Sequence, residues 1–363
     1  MLDSVLRHLE ALVSFDTRNP PRAISAEGGL FGYLATQLPD FELDLVDHGA
    51  GAVSLFARRG TPRVLFNVHV DTVPDSPAWT ADPFTLRIEG DRAIGLGACD
   101  IKGAAAGLLT AAQASSGDAA FLFSSDEEAN DPRCIAAFLA RDHGFGDVVV
   151  AEPTRCEAVL AHRGISAVRM QFNGIAGHAS AALSHDASAL HQAMHWGVRA
   201  LEHVDAHVAQ EFGGLKGLRF NIGRVEGGIK ANVIAPRAEL RFGFRPLPSQ
   251  SMDELHAQLR GFAMEATDYE ETFRGPSLPA GDAADAENRR RAAQALAESL
   301  QLPIGEAVDF WTEASLFSQA GLNAIVYGPG DIARAHSADE WVALGQLERY
   351  TASVHRILSS SAP

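Results

Sequence analysis

The chain has 363 residues, too many for one ordinary domain, so two domains are the expectation. Hydrophobic residues at 46% and charged residues at 21% are those of a globular protein, and the net charge of −16 argues against nucleic acid, whose phosphates call for a basic face, while it suits cationic or metal-associated ligands. No run of about 18 apolar residues is present to span a membrane, and three cysteines without paired spacing, Cys99, Cys134 and Cys156, speak against a disulfide framework or a thiolate zinc site and for a reducing, cytoplasmic setting.

Leu2, Val5, Leu6, Leu9, Leu12 and Val13 recur at helical spacing, which predicts an amphipathic helix over 3–18 rather than a signal peptide. Asn19-Pro20-Pro21 makes a loop, and a second helix is expected over 28–38, stopped at Pro39. Strands are expected over 43–46, 52–57 and 64–70, and 84–88 with 92–94 reads as a hairpin around Glu89-Gly90-Asp91. The glycine-rich turn from Gly95 to Gly103 opens an alanine-rich helix over 104–114, so poor in polar residues that it must be packed on more than one side. Buried strands over 119–123 and 147–151 flank a helix over 134–141. Strands alternating with helices imply an α/β domain of three layers, a mostly parallel sheet covered on both faces, with ligands collecting at the carboxyl ends of the strands.

From residue 165 to 279 the pattern changes to strand (165–172), helix (188–212), two strands (218–226 and 233–244), helix (252–265) and strand (269–273). That βαββαβ order is the ferredoxin-like α+β arrangement, complete in itself, and is expected as a domain inserted between 1–164 and 280–363. The α/β character resumes with a helix over 287–299, a strand over 324–327 and a C-terminal helix.

The run Val64 to Phe66 leads straight into His69 and Asp71, which the period of two in a strand puts on one face. A metal-bound imidazole usually donates its other N–H to a carboxylate or carbonyl, so His69 reads as a ligand and Asp71 as the residue that orients it. His69, Asp71, Asp100, Glu127, Glu128 and Glu152 all fall at strand ends or on the glycine turn. Nitrogen and oxygen donors without sulfur suit one or two divalent ions, zinc first, cobalt or manganese otherwise. A pair of ions needs a shared carboxylate, and Asp100 is the natural bridge. An acidic run such as Asp126-Glu127-Glu128 standing alone is commonly a solvated loop; its company argues for a site. His191 and His195, like His203 and His207, stand four apart on one helix without the glutamate of His-Glu-x-x-His, which favours a polar face or a dimer seam over a metal site. Gly95-x-Gly97 lacks the third glycine of a dinucleotide fingerprint, and Ser180, Ser184 and Ser188 offer no nucleophile elbow.

Taken in order, His69-Val-Asp71, Gly97-x-x-Asp100-x-Lys-Gly103, Glu127-Glu128, Glu152-Pro-Thr154 and Ala335-His336-x-x-Asp-Glu340 resemble the motif series of the M20 family of dinuclear zinc amidohydrolases. The resemblance implies two divalent metal ions, one on His69, Asp100 and Glu152 and the other on Asp100, Glu128 and His336, with Glu127 as general base and Asp71 as the partner of His69. Such a pair lowers the pKa of a shared water, and a carboxylate in reach takes its proton as it attacks an amide. Gly174 to Ser180 resembles the family's glycine-histidine turn, so His178 would steady the oxyanion, in dimeric members from the neighbouring subunit. Asn232 and Arg245 match positions that hold the substrate's carboxylate and carbonyl, and Arg163 is a further candidate of that type.

By the same resemblance the inserted domain is a lid and dimerisation domain, the assembly a homodimer and the substrate a small N-acyl amino acid. The chain looks most like the branch that deacetylates N-acetylornithine or N-acetylcitrulline in arginine biosynthesis. A succinyl-diaminopimelate desuccinylase or an M20 dipeptidase or carboxypeptidase is the alternative. A non-catalytic amino-acid-binding protein on this fold would be marked by loss of a metal ligand, and none of the five is missing. Where many relatives have a glycine-rich helix start, this chain has Ala129 to Arg133, a departure that bears on substrate preference.

Overall fold

The computed structural model describes residues 1–363 apart from 22, 130, 182–186, 265–266 and 361–363. Ser184 and the expected helix end at Glu265 therefore lie outside the described residues. The chain forms two compact units: Met1–Leu160 with Arg291–Gly305 and Thr312–Pro363, and Ala161–Arg290 with Glu306–Trp311.

The first unit is built on a six-stranded sheet in the order Glu42–Asp47, Val53–Arg59, Ala119–Ser124, Val64–His69, Asp147–Val150, Asn323–Val326. The last four run parallel and the first two antiparallel. Runs such as Ala119-Ala-Phe-Leu-Phe are buried at every position, as a sheet covered on both faces requires. On one face Leu55, Phe66, Phe121 and Phe123 share a core with helices Leu2–Ser14, Gly103–Ala114 and Leu344–Ser360. On the other, Phe56 meets Phe138 of helix Arg133–Leu139, which meets Phe317 of helix Ala314–Gln319. The mostly parallel α/β expectation holds.

Every residue from Gly103 to Ala112 is buried, so the alanine-rich helix is packed on more than one side. A Cβ at Gly107 would lie 2.8 Å from the Tyr350 ring; only glycine lets helix Leu344–Ser360 approach this closely. Two short elements are absent from the sequence reading: helix Ala314–Gln319, and strand Trp341–Ala343, which pairs with Arg92–Ile94. The first helix ends at Ser14 rather than 18.

The second unit carries a four-stranded antiparallel sheet, Arg219–Gly227, Arg237–Arg245, Ile165–Asn173, Asp268–Gly275, with helices Ala189–Ala206 and Met252–Gly261. The connectivity is βαββαβ, the ferredoxin-like order. Burial alternates along the central strands, and Val168, Met170, Phe172, Leu240, Phe242 and Phe244 pack with Trp196. Two expected elements are shorter than their patterns. The helix stops at Ala206, and the rest of the expected span holds the hairpin of Glu211–Phe212 and Leu215–Lys216 across Gly213-Gly214, both at positive φ. The strand expected over 233–244 breaks at Pro236, which has no N–H to give to a ladder. Its first piece, Val233–Ile234, pairs with Gly177–His178 instead. This unit starts before 165 and ends after 279, since His162 bridges to Leu278 and Val308.

No helix among the described residues is long and apolar enough to cross a membrane.

Candidate metal centre

Strand Val64–His69 ends on His69, strand Ala119–Ser124 runs on to Glu127 and Glu128, and strand Asp147–Val150 runs on to Glu152. The three parallel strands thus deliver their acids and imidazole at neighbouring carboxyl ends. Asp100 comes from the turn Ala98–Lys102, entered through Gly97 at φ +78, where a Cβ would sit 2.6 Å from the Thr72 methyl. His336 follows the short turn Ile332–Arg334 and is itself left-handed, φ +55.

These side chains form two groups that share one member. Ligand atoms of His69, Asp100 and Glu152 lie within 4.8 Å of one another, and so do those of Asp100, Glu128 and His336. His69 Nε2 is 3.2 Å from Asp100 Oδ1 and 3.9 Å from Glu152 Oε1. His336 Nε2 is 3.2 Å from Asp100 Oδ2 and 3.0 Å from Glu128 Oε1. One carboxylate therefore offers an oxygen to each group. Glu127 belongs to neither group, and the charges around it are those of His69, Glu128, Asp71 and Asp100.

Asp71 sits behind His69. Its main-chain oxygen accepts from His69 Nδ1 at 3.1 Å and its carboxylate lies 3.4 Å from the same atom. The other carboxylate oxygen accepts from the Glu128 main-chain N–H and the Asn19 amide, both at 3.0 Å. Asp71 thus contacts the imidazole of one candidate ligand and the backbone of another.

The electrostatics are those of crowded buried acids. Burial, reinforced by the neighbouring carboxylates, pushes Glu127 up to about 8 and Glu152 well above the usual carboxylate range. Hydrogen bonds to Asp100 and Glu128 raise His336 to about 11. His69 is raised by Asp100 and Asp71 even though burial opposes it. Four carboxylates converge on two imidazoles here, while the buried Lys102 turns away to donate to the Phe15 carbonyl. Such a crowd of buried acids, held toward their neutral forms by burial and by one another, with histidine nitrogens aimed into it, fits divalent cations.

Three further residues support the site without having been singled out by sequence. Glu340 accepts three main-chain N–H groups from the Asp100 turn. Glu313 is buried, with one oxygen near Ser124 Oγ and the other without a hydrogen-bond partner. Asn19 holds Asp71. Glu340 stood inside a quoted motif; Glu313 and Asn19 carried no local signal, because their meaning lies in contacts far along the chain.

The remaining candidates lie in the second unit. His178 is exposed, and its Nδ1 accepts from the Ser180 main-chain N–H at 3.2 Å, with Ser180 Oγ 2.7 Å away. In the neutral ring that leaves the proton on Nε2, turning a donor outward. Asn232 is exposed and its main-chain oxygen accepts from Ala179, tying it to the His178 turn. Arg245 is half-buried on its strand. Arg163 is fully buried, and its guanidinium donates to the carbonyls of Gly217, Lys216 and Arg245 and to Asp309, contacts that tie its own unit together.

An open α/β sheet whose strand ends bring together two donor groups around one shared carboxylate fits the class of metal-dependent hydrolases. The profile of peptidase family M20/M25/M40 matches residues 65–360, and the chain belongs to that family. It is 68% identical over 362 residues, 99% of each chain, to the N-acetyl-L-citrulline deacetylase of Xanthomonas campestris pv. campestris. It is 30% identical over 308 residues, 80% of this chain and 78% of the other, to the acetylornithine deacetylase of Myxococcus xanthus. Among solved structures it resembles a Bacillus subtilis protein described as a dinuclear metal-binding peptidase of the M20 family, with TM-score 0.65, 14% identity, and 99% and 98% of the two chains covered, a likeness of fold.

Proposed function

We propose that the protein is a metal-dependent amidohydrolase that removes the acetyl group from an N-acetylated amino acid, N-acetylcitrulline first and N-acetylornithine second, in arginine biosynthesis. The observation that carries this reading is Asp100, whose two oxygens lie 3.2 Å from His69 and 3.2 Å from His336. The 68% identity to a citrulline-directed deacetylase supports the order of the two substrates.

His69, Asp100 and Glu152 would hold one ion and Asp100, Glu128 and His336 the other, zinc by preference, with cobalt or manganese as substitutes for a sulfur-free donor set. When bound, the ions supply Lewis acidity toward the amide carbonyl and lower the pKa of an attacking water. Glu127 accepts the proton from that water and passes it to the leaving nitrogen, so that the amide breaks to acetate and a free amine. Asp71 keeps His69 in the tautomer that presents Nε2. His178 offers its Nε2–H to the developing oxyanion. Arg245 forks onto the α-carboxylate, and Asn232 donates to the substrate carbonyl.

A homodimer through the second unit is part of the proposal. On helix Ala189–Ala206, Met194, Val198 and Leu201 are more than half exposed at helical spacing, an apolar stripe that a second copy would cover. A cytoplasmic setting agrees with three cysteines that are all free and buried.

The test is hydrolysis of N-acetylcitrulline and N-acetylornithine side by side, read as newly freed amine, with succinyl-diaminopimelate and dipeptides as further arms and metal added. Turnover of an acetylated amino acid above the other arms supports the reading. Faster turnover of the succinyl or peptide substrates contradicts it.

A further inference from the structure

Metal ligands are only as well placed as the backbone that carries them, and Asp100 stands on an irregular turn with no strand ladder to hold it. What holds that turn is Glu340. Its carboxylate is 1% exposed and accepts three main-chain N–H groups: Cys99 and Asp100 on Oε1, both at 2.9 Å, and Gly97 on Oε2 at 3.1 Å. Successive N–H groups that converge in this way form a concave anion seat, filled here by a side chain of the same polypeptide. The Glu340 main-chain oxygen also accepts from Gly95, and the next residue starts the strand that pairs with Ile94.

Glu340 lies four residues beyond His336. Its neighbour Asp339 fastens the same segment from the other side, accepting from Thr80 and from Arg87. The turn that carries His336 and the turn that carries Asp100 are therefore joined through one buried carboxylate, although some 236 residues of chain separate them.

We propose that Glu340 is a positioning residue for the metal site formed by Asp100, Glu128 and His336, setting the spacing between Asp100 and His336 before metal arrives. This role rests on the dinuclear reading above. The other site keeps His69 and Glu152, whose strands are held by the sheet, and shares only Asp100 with Glu340. Loss of the latch falls on one site more than on the other.

The experiment strips the full-length protein of metal with a chelator and titrates it with Co2+, following visible absorption, and with Zn2+ in a calorimeter. Wild type, Glu340→Gln and Glu340→Asp are compared, with the melting temperature of each metal-free form. The amide of Glu340→Gln keeps the volume and an oxygen for Cys99 and Asp100, but it loses the charge and turns an NH2 toward the Gly97 N–H, so one of the three contacts goes. The expected result is two binding steps in wild type, of which one is reduced about 10- to 100-fold in Glu340→Gln, as substitutions behind metal ligands commonly cost. The other step is retained, the metal-free melting temperature stays within a few degrees of wild type, and Glu340→Asp, which keeps the charge, falls between. Should Glu340→Gln fail to fold, Glu340→Asp is judged by the same pattern. Two unchanged steps in the variants overturn the proposal, as does a parallel loss of both steps together with a lower metal-free melting temperature, the mark of a purely structural role. A wild type with fewer than two steps removes the dinuclear reading itself.

Discussion

Asp71 touches both metal-ligand groups at once: its carboxylate lies 3.4 Å from His69 Nδ1 and accepts the Glu128 main-chain N–H at 3.0 Å. The main-chain oxygen of Asp71 offers His69 a second acceptor at 3.1 Å. Asp71→Asn keeps that main-chain acceptor, so His69 stays oriented while the negative charge is lost. The expected effect is a fall in metal affinity or kcat of about 10-fold, the low end of what partners behind metal ligands contribute. Competition against a chelator of known affinity checks it, and a loss beyond 1000-fold would mean that Asp71 does more than orient.

Glu127 lies among the charges of both donor groups but is itself in neither. Glu127→Gln therefore keeps both ions and substrate affinity while kcat falls by roughly 100- to 10,000-fold, the usual size of a proton-transfer contribution. Metal content by mass spectrometry alongside steady-state kinetics separates this outcome from simple loss of metal. A near-normal kcat rules out Glu127 as the base.

The two arginines brought forward by sequence should behave in opposite ways. Arg163→Met leaves the Gly217 and Lys216 carbonyls and Asp309 without their donor, and unfolding in urea should show a loss of roughly 2–4 kcal/mol. Arg245→Ala should leave the fold intact and raise KM about 10- to 100-fold, since a hydrogen bond to a charged group contributes roughly 1.5–3 kcal/mol. Reversal of that pattern would return Arg163 to the substrate site.

A pH effect resides in the second unit, far in sequence from every proposed metal ligand. His256 is held by the Tyr269 hydroxyl at 2.8 Å and Glu271 at 2.9 Å. Burial lowers its pKa below the ordinary histidine value despite Glu271. The unfolded chain therefore takes up the proton first as pH falls, and stability is lost progressively below about 6.5, with no contribution above it. Between pH 7 and 5 the urea midpoint of wild type should drop further than that of His256→Asn. Equal slopes would contradict the assignment.

Much of the first unit was legible because its physics is local: buried strands written as apolar runs, and acids placed where those runs stop. The motif order carried the candidate site for the same reason, His69, Glu128 and Glu152 lying where recognisable strands stop. What stayed hidden depends on partners distant in the chain. Trp341–Ala343 is too short to announce itself and is a strand only because Arg92–Ile94 lies beside it. Glu313 and Asn19 look like ordinary surface residues until the fold buries them. The partners of Arg163 were hidden for the same reason: the carbonyls that accept from it come from residues 216, 217 and 245.

The central claim is that two divalent ions share Asp100. Crystals of the metal-loaded protein, with anomalous data collected on either side of the zinc absorption edge, test it most directly. Two anomalous peaks about 3.5–4 Å apart, one against His69 and Glu152, the other against Glu128 and His336, with Asp100 between them, are the predicted result. A single peak that Asp100 does not bridge, or metal bound away from these five side chains, would contradict it.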